Sequence, residues 1–328
     1  MRSIVVTEFG PPEVLQTRET APPTPGPGEL LVAVEAVHVL DLDTKLRAGA
    51  GQEWFALRPP YIPGGGIAGR VVAVGAGVDE TMIGRRVLAN TVDAPAGGSA
   101  AQAVATAAQA VPVPDGVDAA TAAPLVHDGV TAIALFDHLQ VSAGDRVLVL
   151  GAAGGAASLL VQLAGAAGAT VVGAARGDRK LDAVRTLGAA AVVDYADRDW
   201  VAATRAHLPG GATVVLDGVG GELGRVALEQ LTARGARFSA HGAASGDFSV
   251  DDRDEVRDRL GVRVSGIEVP QAGVAAFRST VTTAVAAVAD GRLRPLVGIT
   301  APLEKAADVH RAIEAREVAG TSVLVVEQ

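Results

Sequence analysis

Residues 146–167 (RVLVLGAAGGAASLLVQLAGAA) constrain the fold more than any other stretch of this chain. Residues 147–150 form an uninterrupted aliphatic run, which is typical of a strand buried on both faces of a parallel sheet. A turn with Gly151, Gly154 and Gly155 follows, and its bare backbone can bring N–H donors close to an anion. The next residues have helical apolar spacing, so the positive end of a helix dipole points at the same place. The stretch predicts a strand, a pyrophosphate-binding turn and a helix.

The glycine spacing alone is a weak signal, because the chain has 40 glycines and the spacing is G-x-x-G-x-x-A rather than G-x-G-x-x-G. The prediction of a phosphate site therefore depends on the residues around the turn. Gly168 is placed to end the helix, and residues 170–174 predict a second buried strand. Residues 146–174 therefore predict one β-α-β unit that binds a dinucleotide. The turn residues expected to contact its phosphates are Ala153, Gly154, Gly155 and Ala156.

The residues after the second strand distinguish the two nicotinamide dinucleotides. An NAD site places an acid there for the ribose hydroxyls, whereas an NADP site offers cations to the 2′-phosphate. This chain has Arg176, Arg179 and Lys180, and cations near a helix N-terminus oppose the helix dipole unless a bound anion offsets them. Asp178 argues for NAD, unless it caps a helix that starts at Arg179. The pattern favours NADP over a merely solvated basic face.

Composition limits the partners that this chain can have. Its 328 residues, 49% of them hydrophobic, are enough for two domains with a large core. The lack of cysteine excludes disulfides and thiolate zinc sites, and the net charge of −9 argues against nucleic acid. The chain has no run of eighteen apolar residues, and the apolar stretch at its amino terminus is too short for a signal peptide. We expect a cytoplasmic protein with a small-molecule partner and no membrane association.

The sequence pattern divides the chain into two regions. Residues 2–114 consist of short β-rich runs interrupted by proline and glycine, which resembles a partly antiparallel barrel, and residues 112–116 mark a hinge. Beyond the first β-α-β unit, strands predicted at 191–193, 213–217, 237–240 and 263–267 complete a doubly wound sheet of about six strands. The terminal strand at 322–326 is expected to join the sheet of the first domain.

Ligands bind at the carboxyl ends of the strands in such sheets, so the loops at 217–220 and 241–243 should face the cofactor. The residues expected to contact it from these loops are Val219, His241, Gly242 and Ala243. His241 either contacts a cofactor phosphate or caps the end of its strand.

The order of motifs resembles the zinc-independent quinone oxidoreductase branch, with its zeta-crystallin-like members, of the medium-chain dehydrogenase/reductase superfamily. The likeness covers nearly the whole chain and is specific as an ordered set. Its motifs are DTKLRAG at 43–49, PG at 63–64, AGRVVAVG at 68–75, GVTA at 129–132, GAAGG at 151–155, LGA at 187–189, DGVGG at 217–221 and FSAHG at 238–242.

The resemblance implies an α/β fold with two domains. A GroES-like β-rich substrate domain would comprise residues 1–120 and be completed by 270–328, with a Rossmann NADP-binding domain at 121–269 and a cleft between them. It also implies NADPH as cofactor, with Lys180 and Tyr195 at the 2′-phosphate and Thr131 beside the nicotinamide carboxamide. A homodimer joined through the edge strands of the Rossmann sheet is usual in this family.

The implied chemistry is hydride transfer without a metal. The chain lacks the thiolate ligands of its zinc-dependent relatives, and Gly65 stands where a ligand histidine would be. The acceptor should therefore carry its own electron-withdrawing group, as a quinone, an enone or an enoyl thioester does. The alternative is an NADP(H)-binding structural or regulatory protein with little reductase turnover.

Two departures from the family pattern fall on the expected substrate side. Leu40 replaces an asparagine and Gly66 replaces an acid, while His127 and Asp128 stand just before the GVTA motif. We expect His127, supported by Asp128, to bind a substrate carbonyl or deliver a proton with a pKa near working pH.

In the alternative, this pair binds only each other or caps a helix. Asp43 is the third candidate catalytic residue, and His38 is expected to be structural.

Overall fold

A computed structural model describes residues 1–52, 55–91, 97–269 and 274–327. The chain forms two compact units, and each has its own sheet. Unit 1 comprises Met1–Gly129 together with Gly273–Gln328, and unit 2 comprises Val130–Ala272.

The strands and helices of the described residues are given in chain order. The strands are β1 (Arg2–Val6), β2 (Leu15–Glu19), β3 (Glu29–Val39), β4 (Gly66–Val74), β5 (Arg86–Asn90), β6 (Gln102–Thr106), β7 (Val111–Pro112), β8 (Arg146–Leu150), β9 (Thr170–Ala175), β10 (Ala191–Asp194), β11 (Ala212–Asp217), β12 (Thr232–Ala240), β13 (Arg263–Gly266), β14 (Val297–Pro302) and β15 (Thr321–Val325). The α-helices are α1 (Asp41–Arg47), α2 (Ala119–Ala122), α3 (Asp128–Leu139), α4 (Gly155–Ala166), α5 (Asp178–Thr186), α6 (Trp200–His207), α7 (Gly221–Leu231), α8 (Arg253–Leu260), α9 (Val274–Ala289) and α10 (Ala306–Glu314).

Unit 2 contains the predicted parallel sheet. Its six strands lie in the order β10-β9-β8-β11-β12-β13, and every neighbouring pair is parallel. Counted from β8 as the first, this is the order 3-2-1-4-5-6 of a dinucleotide-binding fold. Leu148, Leu150, Val172 and Phe238 lie in its apolar core, each fully buried, so the aliphatic runs that predicted these strands are indeed covered by protein. The expected six-stranded sheet is confirmed.

Unit 1 is built on a mostly antiparallel sheet. Strands pair in the order β14-β15-β3-β4-β5-β7, with β6 also on β3 and with β1 and β2 as a separate pair. Along β3 the buried residues Leu30, Val32, Val34 and Ala36 alternate with half-buried ones, which fits a strand with one face on the core. The terminal strand β15 pairs with β3 in antiparallel register, so its predicted place in this sheet is confirmed.

Sequence patterns missed three strands, β2, β6 and β14, and misplaced the start of α5. The Ala-rich segment of β6 lacks the β-branched content of a typical strand and becomes one by pairing with β3, which is a tertiary effect. Helix α5 begins at Asp178 rather than Arg179, and its N-cap is Gly177, whose φ of +80° suits only glycine. Asp178 therefore lies inside the helix and is not its cap.

In the residues that the structure describes, no single helix has the length and apolar character of a membrane span. The consecutive segments 119–126 and 128–139 have that length and apolar character only when they are taken together, and the chain bends by 50° between them.

Candidate functional site

The loops expected to bind the cofactor share one edge of the unit 2 sheet. In the parallel register Leu150 of β8 lies opposite Ala174 of β9 and Asp217 of β11, and Asp217 lies opposite Ala240 of β12. The loops that follow these strands therefore leave the sheet at the same edge, as ligand-binding loops do in such folds. Thr131, the remaining predicted cofactor contact, is half-buried in the first turns of α3.

The glycine-rich turn has the geometry of an anion site. Gly151 has a φ of +66°, which favours glycine, and its carbonyl oxygen accepts a hydrogen bond of 2.7 Å from Gly154 N. Gly154 is the N-cap of the twelve-residue helix α4 and provides no side-chain hydrogen bond to it. Amides in the first turn of this helix are thus left for a ligand to satisfy.

The basic residues lie where β9 and β10 end. Arg176 is exposed in the loop before α5, and Lys180 is half-buried in the first turn of that helix. Tyr195 is half-buried after β10, and its backbone N–H donates to Ala175 O at 3.2 Å. Adjacent strand ends thus carry all three residues that were expected at a 2′-phosphate.

A carboxylate directly before Tyr195 binds the backbone. Asp194, at the end of β10, accepts hydrogen bonds of 2.8 Å from Gly177 N and from Ala196 N, one on each carboxylate oxygen. Sequence analysis did not single out Asp194, although its position at a strand end directly before Tyr195 is a readable signal.

The next two loops pack backbone to backbone. A Cβ on Gly242 would lie 2.2 Å from Gly218 O, so only glycine allows this approach. Asp217 is fully buried, and its carboxylate accepts hydrogen bonds from Val219 N, Gly220 N and Ser249 Oγ at 2.6–2.9 Å. The carboxylate of Asp217 therefore fixes the shape of its own loop. Burial raises the pKa of this carboxyl.

His241 is buried beside these loops, and its Nδ1 is 3.1 Å from Ser239 Oγ. Burial lowers the pKa of this imidazole to about 4, so it is neutral at pH 7 and offers a phosphate an N–H but no positive charge. Val219 approaches the glycine-rich turn, because a Cβ on Gly151 would be 3.0 Å from Val219 Cγ2. Ala243 follows in the same loop, and its carbonyl oxygen accepts a hydrogen bond from Gly246 N.

In unit 1, the imidazole of His127 covers the two glycines at the start of β4. A Cβ on Gly66 would be 2.9 Å from His127 Nδ1, and one on Gly65 would be 3.3 Å from His127 Nε2 and 3.0 Å from Asn90 Oδ1. Both positions at which the family would place a longer side chain thus leave room for this ring. Asn90, the last residue of β5 and half-buried, is a polar neighbour of the site that sequence reasoning missed.

His127 belongs to a larger polar cluster. Its ring centroid is 5.7 Å from that of His38, which is buried. His38 Nε2 lies 2.6 Å from Thr321 Oγ1 and 3.4 Å from Asp128 Oδ2. Asp128 thus approaches His38, and the structural role expected for His38 is supported by its burial and its hydroxyl partner.

The expected pKa of His127 is wrong. Burial lowers it to about 4, with a smaller lowering effect of His38 and an opposing effect of Asp128. His127 is therefore neutral at pH 7 and carries one N–H donor instead of a positive charge. Its Nδ1 is buried and has no hydrogen-bond partner among the residues described.

Asp43 has a local structural contact that explains its position. Its Oδ2 accepts a hydrogen bond of 2.8 Å from Leu40 N, at the start of α1. Burial raises the pKa of this carboxyl to about 6. Nearby, burial and the charge of Asp43 raise the pKa of the buried Tyr61 to about 12, and the Tyr61 hydroxyl has no partner within the described ranges. Asp43 therefore caps the helix, and no contact among the described residues brings it to His127.

The described parts of the chain contain no group of three or more histidine, aspartate or glutamate side chains arranged to hold a metal ion. The side chains of His127 and Asn90 both approach Gly65, and both are neutral polar groups at pH 7. Neutral groups of this kind can hydrogen-bond to a carbonyl oxygen or an amide.

Comparisons with known proteins agree with the two sheets. Residues 26–115 match the family described as alcohol dehydrogenase GroES-like domain, and residues 155–291 match the family described as zinc-binding dehydrogenase. These two matches fall on the antiparallel sheet of unit 1 and on the parallel sheet of unit 2, respectively, the latter running into α9.

Relatives extend over the full length. A 2-haloacrylate reductase of Burkholderia sp is 31% identical, with 98% of both chains covered. A quinone oxidoreductase of Rattus norvegicus is 30% identical over 95% of this chain and 94% of its own. A mycobacterial protein solved in complex with NADPH is 30% identical, covers 99% of both chains and has a TM-score of 0.87. This chain belongs to the quinone oxidoreductase, zeta-crystallin-like branch of the medium-chain dehydrogenase/reductase superfamily.

Proposed function

We propose that this protein is a zinc-independent, NADPH-dependent reductase of a small molecule whose C=C bond is activated by a carbonyl group, such as an enone or an enoyl thioester. In this proposal unit 2 binds the cofactor and unit 1 binds the substrate. The observation that carries it is the neutral imidazole of His127 over Gly65 and Gly66.

The cofactor half of the proposal rests on the carboxyl edge of the unit 2 sheet. The amides at the start of α4 would bind the pyrophosphate, and Arg176, Lys180 and Tyr195 would surround the 2′-phosphate. The loops that carry Val219, His241, Gly242 and Ala243 leave the same edge and would line the remainder of the cofactor site. When bound, NADPH supplies a hydride to the β-carbon of the acceptor.

The substrate half rests on what a neutral histidine can do. Reduction at the β-carbon places negative charge on the carbonyl oxygen, and an N–H donor fixed in a dry site stabilises that charge. The His127 N–H fits this role. A pKa of about 4 makes His127 a poor proton store at pH 7, so we assign it as the hydrogen-bond donor and expect water to supply the proton at the α-carbon.

An α,β-unsaturated carbonyl fits the pocket better than a quinone. A quinone places charge on two oxygens and benefits from a polar group at each end, whereas Leu40 and Gly66 remove two such groups from this chain. A single donor at position 127 suits a single carbonyl oxygen. The 2-haloacrylate reductase relative is named for a substrate with a C=C bond next to a carboxyl group, which is the same bond class.

Turnover assays test the proposal. NADPH oxidation is followed by absorbance with enones, enoyl thioesters, 2-haloacrylates and quinones, each with the wild type and with His127→Ala. We expect turnover on at least one unsaturated carbonyl and a loss of ~10²–10³-fold in kcat in His127→Ala, as for a lost oxyanion donor. His138→Ala, which changes an exposed histidine near the end of α3, the helix that follows His127, is the control and should retain wild-type turnover.

Three outcomes separate the alternatives. Turnover confined to quinones would reject the substrate class, and full activity of His127→Ala on the best substrate would reject the role of this histidine. NADPH binding without turnover on any acceptor would instead support the structural or regulatory alternative.

We further propose that the protein is a cytoplasmic homodimer, as the family resemblance implies. Light scattering of the purified protein gives its mass directly. A monomer at micromolar concentration would contradict this part of the proposal without affecting the rest.

A further inference from the structure

Asp194 links the two loops that are expected to bind the 2′-phosphate. One carboxylate oxygen accepts the Gly177 N–H and the other accepts the Ala196 N–H, both at 2.8 Å. Gly177 directly follows Arg176, and Ala196 directly follows Tyr195. A single side chain thus fixes the backbone beside two of the three expected phosphate contacts.

The third contact is tied to the same point. Gly177 O accepts hydrogen bonds from Lys180 N and Leu181 N, both at 3.1 Å, which start the first turn of α5. Gly177 is therefore held on both sides, by Asp194 at its N–H and by the helix at its carbonyl. Its φ of +80° is a conformation that favours glycine, and the position of Lys180 depends on how Gly177 is anchored because Lys180 N donates to Gly177 O.

The charge of Asp194 is at odds with a direct role in binding an anion. A carboxylate close to a phosphate repels it, and an acid near a ribose favours the free 2′-hydroxyl of NADH. The two amides occupy one lone-pair direction on each oxygen, however, and hydrogen bonds to a charged acceptor are about twice as strong as neutral ones. Both carboxylate oxygens accept backbone N–H groups, and the geometry points to anchoring.

We propose that Asp194 is a positioning residue for cofactor selectivity: it holds Arg176, Lys180 and Tyr195 in the arrangement that binds the 2′-phosphate, without contacting the phosphate itself. The inference rests on the proposed NADPH dependence. Charge alone predicts that removing this carboxylate strengthens NADPH binding, whereas the proposal predicts that removing it weakens NADPH binding.

The test uses Asp194→Asn and Asp194→Ala in the full chain. The asparagine keeps one acceptor and turns an NH2 group toward the second amide, so it loses one anchor, and the alanine loses both. The control is Asp252→Asn, because Asp252 also accepts two backbone N–H groups, those of Asp254 and Glu255, at the start of α8. Dissociation constants are measured for NADPH, NADH, 2′,5′-ADP and 5′-AMP, together with the unfolding midpoint.

We expect Asp194→Asn to weaken NADPH and 2′,5′-ADP by roughly tenfold, and Asp194→Ala by more, with NADH and 5′-AMP changed less than about twofold. Asp252→Asn should leave all four constants unchanged. Turnover at saturating NADPH should stay near that of the wild type, because the anchors affect binding only.

Several results would overturn the inference. Tighter NADPH binding by Asp194→Asn would show that charge repulsion dominates, and equal weakening of NADPH and NADH would show a general structural role. Dissociation constants that are unchanged in both variants would show that Asp194 has no role in cofactor binding. If the wild type itself does not prefer NADPH, the proposed cofactor fails; if the wild type prefers it and the variants retain that preference, only the role of Asp194 fails.

Discussion

The His127 ring lies where a side chain at position 66 would project, so substitutions at positions 66 and 127 should be coupled in their effect on stability. A Cβ at position 66 would lie 2.9 Å from His127 Nδ1, 3.0 Å from His127 Cε1 and 3.1 Å from Val126 Cβ. All three distances are shorter than an ordinary van der Waals contact, and the site is buried, so the neighbours must move. Gly66→Ala should therefore destabilise the protein by ~1–3 kcal/mol, the usual cost of an added methyl group in a packed site.

The destabilisation caused by Gly66→Ala should largely disappear when the His127 ring is absent. In the His127→Ala background the two shortest contacts are removed and the 3.1 Å contact with Val126 Cβ remains. Alanine in a strand also gains ~0.5–1 kcal/mol over glycine because the unfolded chain has less freedom to lose. Gly66 does not have a positive φ, so alanine brings no backbone strain. Gly66→Ala should then be nearly neutral, which gives a coupling free energy of ~1–2 kcal/mol between positions 66 and 127.

Denaturant unfolding of the wild type, both single variants and the double variant measures this coupling. The control is Gly69→Ala on the same strand, whose Cβ would lie 2.1 Å from Ala33 O. That clash is with backbone, so His127→Ala should not relieve it. Free energies that add within ~0.5 kcal/mol for the 66 and 127 pair would refute the placement of the His127 ring.

Three further predictions concern pH, cofactor choice and metal removal. Burial lowers the pKa values of His38, His127, His241 and His310 to about 3, 4, 4 and 3, so the unfolded chain binds protons that the folded chain does not as the pH falls below 6.5. At about pH 5, each histidine should lower the free energy of unfolding by ~2 kcal/mol, while Asp43, with its pKa raised to about 6, should offset ~1–2 kcal/mol of this loss. The test is the unfolding midpoint, measured as the pH is lowered from 6.5 to 5. A midpoint that does not decrease would contradict the burial of these histidines. Lys180→Ala should weaken NADPH by roughly ten- to a hundred-fold and NADH much less, as measured by cofactor titration, and equal weakening of both would reject a phosphate contact. Treatment with a strong chelator should leave turnover unchanged, since the chain has no cysteine and the catalytic proposal uses no zinc; recovery of a lost activity by added Zn²⁺ would contradict this.

Sequence reasoning worked best where local residues determine the structure. The Rossmann sheet follows from aliphatic runs and glycine turns that are contiguous in the chain, and its strands lie within a few residues of their predicted limits. The strand β6 and the helix start at Asp178 could not be read in this way. The first depends on pairing with β3, and the second depends on a positive φ at Gly177, which composition alone does not reveal.

The candidate site shows the same division. Its glycine-rich turn was readable because a phosphate site is a property of local backbone. The ionisation of His127 was not readable, because the pKa depends on how deeply the ring is buried and on His38, which lies far away in sequence. The strand-end position of Asp194 was readable, but its role was not, because its hydrogen bonds to Gly177 N and Ala196 N depend on how two loops fold against each other.

Gly66, where the family resemblance implies an acid, and the imidazole of His127 are best explained together, because the ring lies where a side chain at position 66 would project. Neither residue is informative alone: a glycine in a strand weakens it, and a histidine before a helix is commonly structural. Together they exchange a side chain on β4 for one that reaches the same volume from the segment before α3. The exchange replaces an expected charged group by a neutral donor, which suits a carbonyl oxygen that becomes negative only during the reaction. Within the proposed substrate class, an uncharged enone or thioester would therefore gain more from this donor in the transition state than an anionic acrylate would.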